Sequence, residues 1–300
     1  KNLMKSFDIK TKIYFGDNAL DRLADLPYKK ALIITDPFVV KSGMLQMITY
    51  RLNDGYTEFD VFSDVVPDPP IEKISLGVKA MPDVVIAIGG GSAIDSAKSI
   101  REFATRASQK EVALIAVPTT SGTGSEVTSF AVVSDPANDI KYPLVSDSML
   151  PTEAILDADL VKSVPANITA DTGMDVLTHA IEAYVSINNN EFSAALAEKS
   201  IEICGTFLLR SYLDNNDTHE RKCTLRHVLQ VLHLTVHHLV LTTVLLMQSV
   251  LSSTFRTAEP MQCYFLTLSN TTQELTNIQE VKATILSALK SMSTLLNFLV

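Results

Sequence analysis

The chain has 300 residues, 46% of them hydrophobic, with a formal net charge of −9 and three cysteines. That is enough apolar material for two cores, and the acidic balance excludes nucleic acid or an anionic membrane surface as the main partner. Cys204, Cys223 and Cys263 show neither CxxC nor ligand spacing, and the first residues carry no apolar secretory segment, so reduced thiols in a cytoplasmic protein are expected.

In chain order, Lys30–Asp36 reads as a buried strand ending in an acid, of the continuous apolar kind that suits a parallel sheet covered on both faces. A helix over Gly43–Leu52, a strand over Thr57–Ser63, a Pro-rich turn and a helix over Ile71–Ala80 follow. Val84–Ile88 is a second buried strand that runs into Gly89-Gly90-Gly91-Ser92 and a helix over Ala93–Thr105. Ala113–Val117 is a third, ending at Pro118-Thr119-Thr120-Ser121-Gly122-Thr123-Gly124. Strand and helix alternate at short spacing, which predicts a Rossmann-like, doubly wound α/β domain over residues 1–160. After Val164-Pro165 no strand pattern remains, so residues 161–300 are expected to form an all-α domain that starts near Ala166.

Three places carry chemistry. Gly89–Ser92 lies between a strand and a helix, where glycines let the backbone approach a phosphate and the helix N-terminus offers free N–H groups; a plain tight turn is the alternative. Asp36 at a strand end can bind a ribose diol and repel a 2′-phosphate, favouring NAD over NADP, or simply cap a helix. Thr119, Thr120 and Ser121 offer hydroxyl donors to the same cofactor, while Thr123-Gly124-Ser125-Glu126 has capping-box spacing. Further on, Asp175 and His179 stand four apart in a segment without proline, so a helix stacks a carboxylate and an imidazole on one face. Such a pair can hold a divalent cation, given further ligands from elsewhere.

The motifs Ile-Gly-Gly-Gly-Ser-Ala-Ile-Asp-Ser-Ala-Lys, Val-Pro-Thr-Thr-Ser-Gly-Thr-Gly-Ser-Glu-Val-Thr and Thr-Ala-Asp-Thr-Gly-Met-Asp-Val-Leu-Thr-His-Ala-Ile-Glu-Ala-Tyr, in this order, resemble the iron-dependent (group III) alcohol dehydrogenase family from about Phe15 to Arg221. The resemblance implies a dehydroquinate synthase-like architecture, with a dinucleotide-binding domain, a helical metal-binding domain and a cleft between them. It also implies hydride transfer between a primary or secondary alcohol and NAD, with Fe²⁺, in some members Zn²⁺, held by one Asp and three His. Asp175 and His179 match the first two ligands and the catalytic centre. Asp36, Gly89, Gly90, Gly91, Ser92, Thr119, Thr120, Ser121 and Lys141 match cofactor-contacting positions, whereas Asp68 stands where members often carry Asn. The implied partners are a small alcohol or aldehyde and a second copy of the chain, with neither nucleic acid nor membrane. A glycerol dehydrogenase or dehydroquinate-synthase-like enzyme of the same fold, and a nucleotide-binding remnant without activity, are the competing readings.

The resemblance stops near Lys222. All 11 glycines lie at or before Gly205, and Val228–Phe255 contains no charged residue. That stretch is long enough to span a bilayer, but it carries His233, His237, His238, Gln230 and Gln248 without a flanking Lys/Arg cluster. The family's remaining His motifs, G-x-x-H-x-x-A-H and P-H-G, are absent, and His227, His233, His237 and His238 have no matching spacing. Read one base earlier, the stretch from Leu239 to Ser249 can encode Gly-Leu-Asn-His-Gly-Leu-Ala-His-Ala-Val. The stretch from Thr254 to Cys263 can likewise encode Ile-Pro-His-Gly-Arg-Ala-Asn-Ala-Val. A one-base shift near Lys222, leaving residues 223–300 out of frame and activity impaired, is the expectation.

Overall fold

A computed structural model describes residues 9–65, 82–135, 140–162, 164–185 and 190–213. Asp68, the helix expected over Ile71–Ala80 and all residues after Leu213, including the later histidines and the charge-free stretch, lie outside the described residues.

The elements in order are β1 (Lys12–Phe15), β2 (Lys30–Thr35), α1 (Pro37–Ser42), α2 (Met44–Asp54), β3 (Glu58–Phe62), β4 (Val84–Gly89) and α3 (Gly91–Ser108). Then come β5 (Ala113–Pro118), β6 (Phe130–Asp135), β7 (Ile140–Val145), β8 (Glu153–Leu156), α4 (Ala166–Val185) and α5 (Glu191–Leu213). Six strands form one parallel sheet in the order β1-β8-β5-β4-β2-β3, and β6 pairs with β7 in an antiparallel hairpin.

The apolar runs form the middle of this sheet because both of its faces are covered. Ile33, Ile86, Ile88 and Ile115 point to one face, where they meet Val39 of α1 and Ile48 and Leu52 of α2. The alternate residues Leu32, Ile34, Val85, Ala87 and Leu114 point to the other, where they meet Ala93, Ile94, Ala97 and Ile100 of α3. Period-two alternation therefore sorts one hydrophobic run onto two cores, and each fully buried Leu or Ile contributes on the order of 1.5–3 kcal/mol.

From β2 the chain moves outward to β3 and then returns to the opposite side of β2 as β4. This reversal opens a crevice between the carboxyl ends of β2 and β4, the place where open α/β sheets take ligands. Asp36 follows β2 and Gly89 ends β4, so both stand at that crevice. The observed elements adjust the expected ones: a further short helix, Pro37–Ser42, precedes the expected one, α3 begins at Gly91, and Thr123–Glu126 caps no α-helix. Ser125–Val127 is a single 3-10 turn preceded by Gly124 with φ 61°, and the N–H of Ser125 reaches Thr123 Oγ1 at 3.4 Å. Beyond Leu160 no strand occurs among the described residues. There α4 and α5 share a cluster of Val176, Leu177, Ala180, Ile181, Ile201 and Cys204.

Candidate functional site

The crevice is assembled from three chain segments. Asp36 divides its carboxylate: Oδ1 accepts from the N–H groups of Phe38 at 2.8 Å and Val39 at 3.0 Å, capping α1, while Oδ2 faces Gly89. The cap and the ribose acceptor of the sequence reading are thus compatible, one oxygen for each. Gly89 has φ +150°, and a Cβ there would come 2.7 Å from Ala93 Cβ and 3.0 Å from Asp36 Oδ2, so only glycine suits the turn. Gly90 precedes α3, so backbone at the start of an 18-residue helix is presented beside Asp36, an arrangement that receives phosphate.

The second wall is the Thr119–Gly124 loop. The N–H of Thr119 donates to the Gly89 carbonyl at 3.0 Å. A Cβ at Gly90 would stand 3.4 Å from Thr120 Oγ1, and one at Gly91 would stand 3.0 Å from Thr123 Cγ2. The two loops therefore touch along the glycines, with Thr120 against Gly90 and Thr123 against Gly91. Ser121 is turned elsewhere: it is 8% exposed, its Oγ has no hydrogen-bond partner among the described residues, and it borders a hollow against α4 and α5. Lys141 lies on β7 opposite Ser134, and its side chain lies outside the described residues.

The third segment is α4. A Cβ at Gly122 would come 2.7 Å from Thr172 Cβ, so the loop after β5 rests directly on this helix. Thr172, Asp175 and His179 are three and four residues apart and share one stripe of α4. The stripe that meets the loop after β5 thus continues, one turn on, into the carboxylate and imidazole. Because α4 begins at Ala166, Asp175 sits mid-helix and not in its first turn.

His179 Nε2 lies 3.8 Å from Asp175 Oδ1. A cation at about 2.1 Å from each donor spans at most about 4.2 Å between them, so one ion fits between the two atoms. The other ring nitrogen, Nδ1, is buried without a hydrogen-bond partner among the described residues. Among the described residues no group of three or more His, Cys, Asp or Glu comes together, so the pair supplies two ligands of a larger set.

Two residues of the glycine motif carry a part that the sequence reading left unassigned. Lys98 is fully buried on α3; its Nζ donates to Thr128 Oγ1 at 2.9 Å and to the Phe130 carbonyl, and lies 4.0 Å from Asp95. Asp95 Oδ2 accepts from the N–H of Val132 at 3.1 Å. Together they fasten α3 to the chain just beyond the Thr119–Gly124 loop. Burial pushes the amine down to about 8, against the attraction of Asp95 and Glu126.

Comparison with known proteins decides the family. A profile described as iron-containing alcohol dehydrogenase matches residues 10–158, and one described as the C-terminal region of Fe-containing alcohol dehydrogenases matches residues 169–230. The chain belongs to the iron-containing alcohol dehydrogenase family. A 1-propanol dehydrogenase of Citrobacter freundii is 47% identical over 209 residues, which is 68% of this chain and 56% of that protein. An NADPH-dependent butanol dehydrogenase of Clostridium saccharobutylicum is 34% identical over 238 residues, covering 73% of this chain and 61% of its own. Among solved structures, sulfoacetaldehyde reductase from Bifidobacterium kashiwanohense in complex with NAD+ superposes with a TM-score of 0.71 at 28% identity, over 78% of this chain and 67% of that one. The chain thus spans a little over half the length of the first of these family members, at 56%. The family match ends at residue 230, a few residues past the point where the motifs fail. No helix among the described residues is long and apolar enough to cross a membrane.

Proposed function

We propose that this chain is the nucleotide-binding half and the first metal-binding helix of an NAD-linked, metal-dependent alcohol dehydrogenase. The observation that carries the reading is the seating of Gly122 on Thr172, which brings the cofactor loop against the helix of Asp175 and His179. Gly89, Gly90, Gly91 and Ser92 would receive the pyrophosphate at the start of α3, with Thr119 and Thr120 beside it, Ser121 behind them and Lys141 approaching from the hairpin. Asp36 Oδ2 would accept from the ribose hydroxyls and repel a 2′-phosphate. Asp175 and His179 would hold Fe²⁺ or Zn²⁺, which supplies Lewis-acid polarisation of the alcohol or carbonyl oxygen. The residues around the crevice then orient the nicotinamide so that hydride passes to it from the substrate carbon as the hydroxyl proton is lost, and the reverse for an aldehyde.

The same reading assigns residues 1–160 to the dinucleotide-binding domain and 161–300 to the helical domain, with 223–300 out of frame. A chain made as written would then lack two imidazoles and bind nucleotide with little or no turnover. The end of the family match at residue 230 favours this account. The test is to titrate the 300-residue chain with NADH by fluorescence, and to assay NAD-dependent alcohol oxidation before and after restoring the frame. Binding in both, with turnover only in the restored chain, is expected. Absence of NADH binding by either chain would sink the dehydrogenase reading, and turnover by the written chain would sink the account of its lost imidazoles.

A further inference from the structure

The hairpin of β6 and β7 sits on α3 through two kinds of contact. Val133 of β6 belongs to the apolar cluster that holds Ala93, Ile94, Ala97 and Ile100 of α3, and Leu144 of β7 packs against it. Apolar contact is non-directional, so by itself it sets no register between a strand and a helix. The directional contacts come from Asp95 and Lys98.

Strand β7 covers one edge of β6, and α3 meets the other. Val132 stands opposite Pro143, which has no N–H to give, and the N–H of Val132 turns away from β7 to Asp95 Oδ2 at 3.1 Å. Strand backbone groups alternate between the two edges, so Phe130, two residues earlier, presents its carbonyl on the same side and accepts there from Lys98 Nζ. Thr128 Oγ1 also accepts from that ammonium, at 2.9 Å, and donates to the Ser125 carbonyl at 3.4 Å. Asp95 and Lys98 thus offer β6 an acceptor and a donor, as a neighbouring strand would. Because Lys98 is fully buried, its ammonium is held to the acceptors the protein supplies.

Two residues beyond Val132, Ser134 pairs with Lys141 across the hairpin. The anchor on α3 is therefore next to the backbone position of the lysine assigned above to the cofactor. The same helix begins at Gly91, beside the turn assigned to the pyrophosphate, so both assignments refer to one rigid element. We infer that Asp95 and Lys98 are positioning residues that set the register of the hairpin on α3, and that Lys98 acts on cofactor affinity through Lys141. The inference rests on the dinucleotide site proposed above and adds to it a residue whose enclosed ammonium is spent on β6.

The test is a mutant cycle on the full chain, read as NADH affinity by fluorescence. Lys98→Met and Lys141→Ala are each expected to weaken binding about tenfold, which is about 1.4 kcal/mol. The double variant is expected to bind no more weakly than the weaker single one, because both changes remove the same contribution. A loss of stability alone would lower the Tm and leave the two effects on affinity additive. Additive losses therefore overturn the inference, as does wild-type affinity in either single variant, and both results leave the dinucleotide site standing. A wild-type chain that does not bind NADH removes the site and the inference together. Should Lys98→Met not fold, Thr128→Val, which deletes one acceptor of the same ammonium, takes its place in the cycle with a smaller loss expected and the same criteria.

Discussion

Gly122 and Thr172 touch so closely that a side chain on the first would lie 2.7 Å from the second. The loop that follows β5 and the helix that carries Asp175 and His179 are thereby held at a spacing only glycine permits. Gly122→Ala pushes against a threonine fixed on a helix, and overpacking of this kind costs about 1–3 kcal/mol. A urea unfolding midpoint unchanged by the substitution would show that the contact is slack.

The same reasoning applies one residue further on α4, with a built-in control. A Cβ at Gly173 would overlap Leu208 Cδ1 at 2.1 Å, but Leu208 is a flexible side chain on α5. Gly173→Ala is expected to destabilise, and Leu208→Ala in the same chain to recover part of that loss despite its own cavity, typically worth about 2–5 kcal/mol when made alone. Additive losses in the double variant would contradict the close helix crossing.

Asp36 separates stability from specificity. Asn is as good a helix cap as Asp, so Asp36→Asn should change stability by no more than a few tenths of a kcal/mol, whereas Asp36→Ala should lose about 1 kcal/mol. If Oδ2 repels a 2′-phosphate, the Asn variant gains affinity for NADPH relative to NADH. Competitive fluorescence titration reads the ratio, and an unchanged preference would place the cofactor's ribose elsewhere.

Lys98 gives the fold a dependence on pH with a definite sign. Burial lowers its amine to about 8 from the ordinary 10.5, while Asp95 and Glu126 pull upward and Arg101 pushes further down. The unfolded chain therefore holds the proton more tightly than the folded one. Protonation opposes folding fully below about 8, and that penalty is relieved as pH rises from about 8 towards 10.5. Measured against Lys98→Met, the wild-type chain should gain relative stability across that window; a difference independent of pH would rule out the buried charge.

Coding DNA offers the most direct check on the residues past Lys222. In the shifted frame Thr243 and Thr257 read as His only if the codons for Thr242 and Arg256 end in C. Any other base at either place excludes the missing imidazole. With the frame restored, cobalt(II) titration should show tight binding that His179→Ala abolishes, while the written chain binds weakly.

The sheet was legible because its strands are long apolar runs closed by Gly, Pro or Asp, and the crevice residues could be placed because each follows such a run. What escaped was set by partners distant in sequence. β1 and β8 have only four residues each, and their identity as strands depends on pairing with one another, Lys12 with Glu153 through Phe15 with Leu156. Ser121 shares its motif with Thr119 and Thr120, and nothing local tells that its hydroxyl turns away from theirs. Lys98 and Asp95 look like a solvated helical pair until the hairpin of β6 and β7 covers them.

The first strand of the sheet waits for the last. Synthesis must reach Leu156 before β1 can be zipped in beside β8, since parallel partners so distant cannot form early. All six strands of that sheet are nonetheless encoded upstream of codon 222. A one-base change downstream therefore leaves every strand of the sheet encoded as it stands, and the crevice between β2 and β4 would be inherited intact whatever follows it.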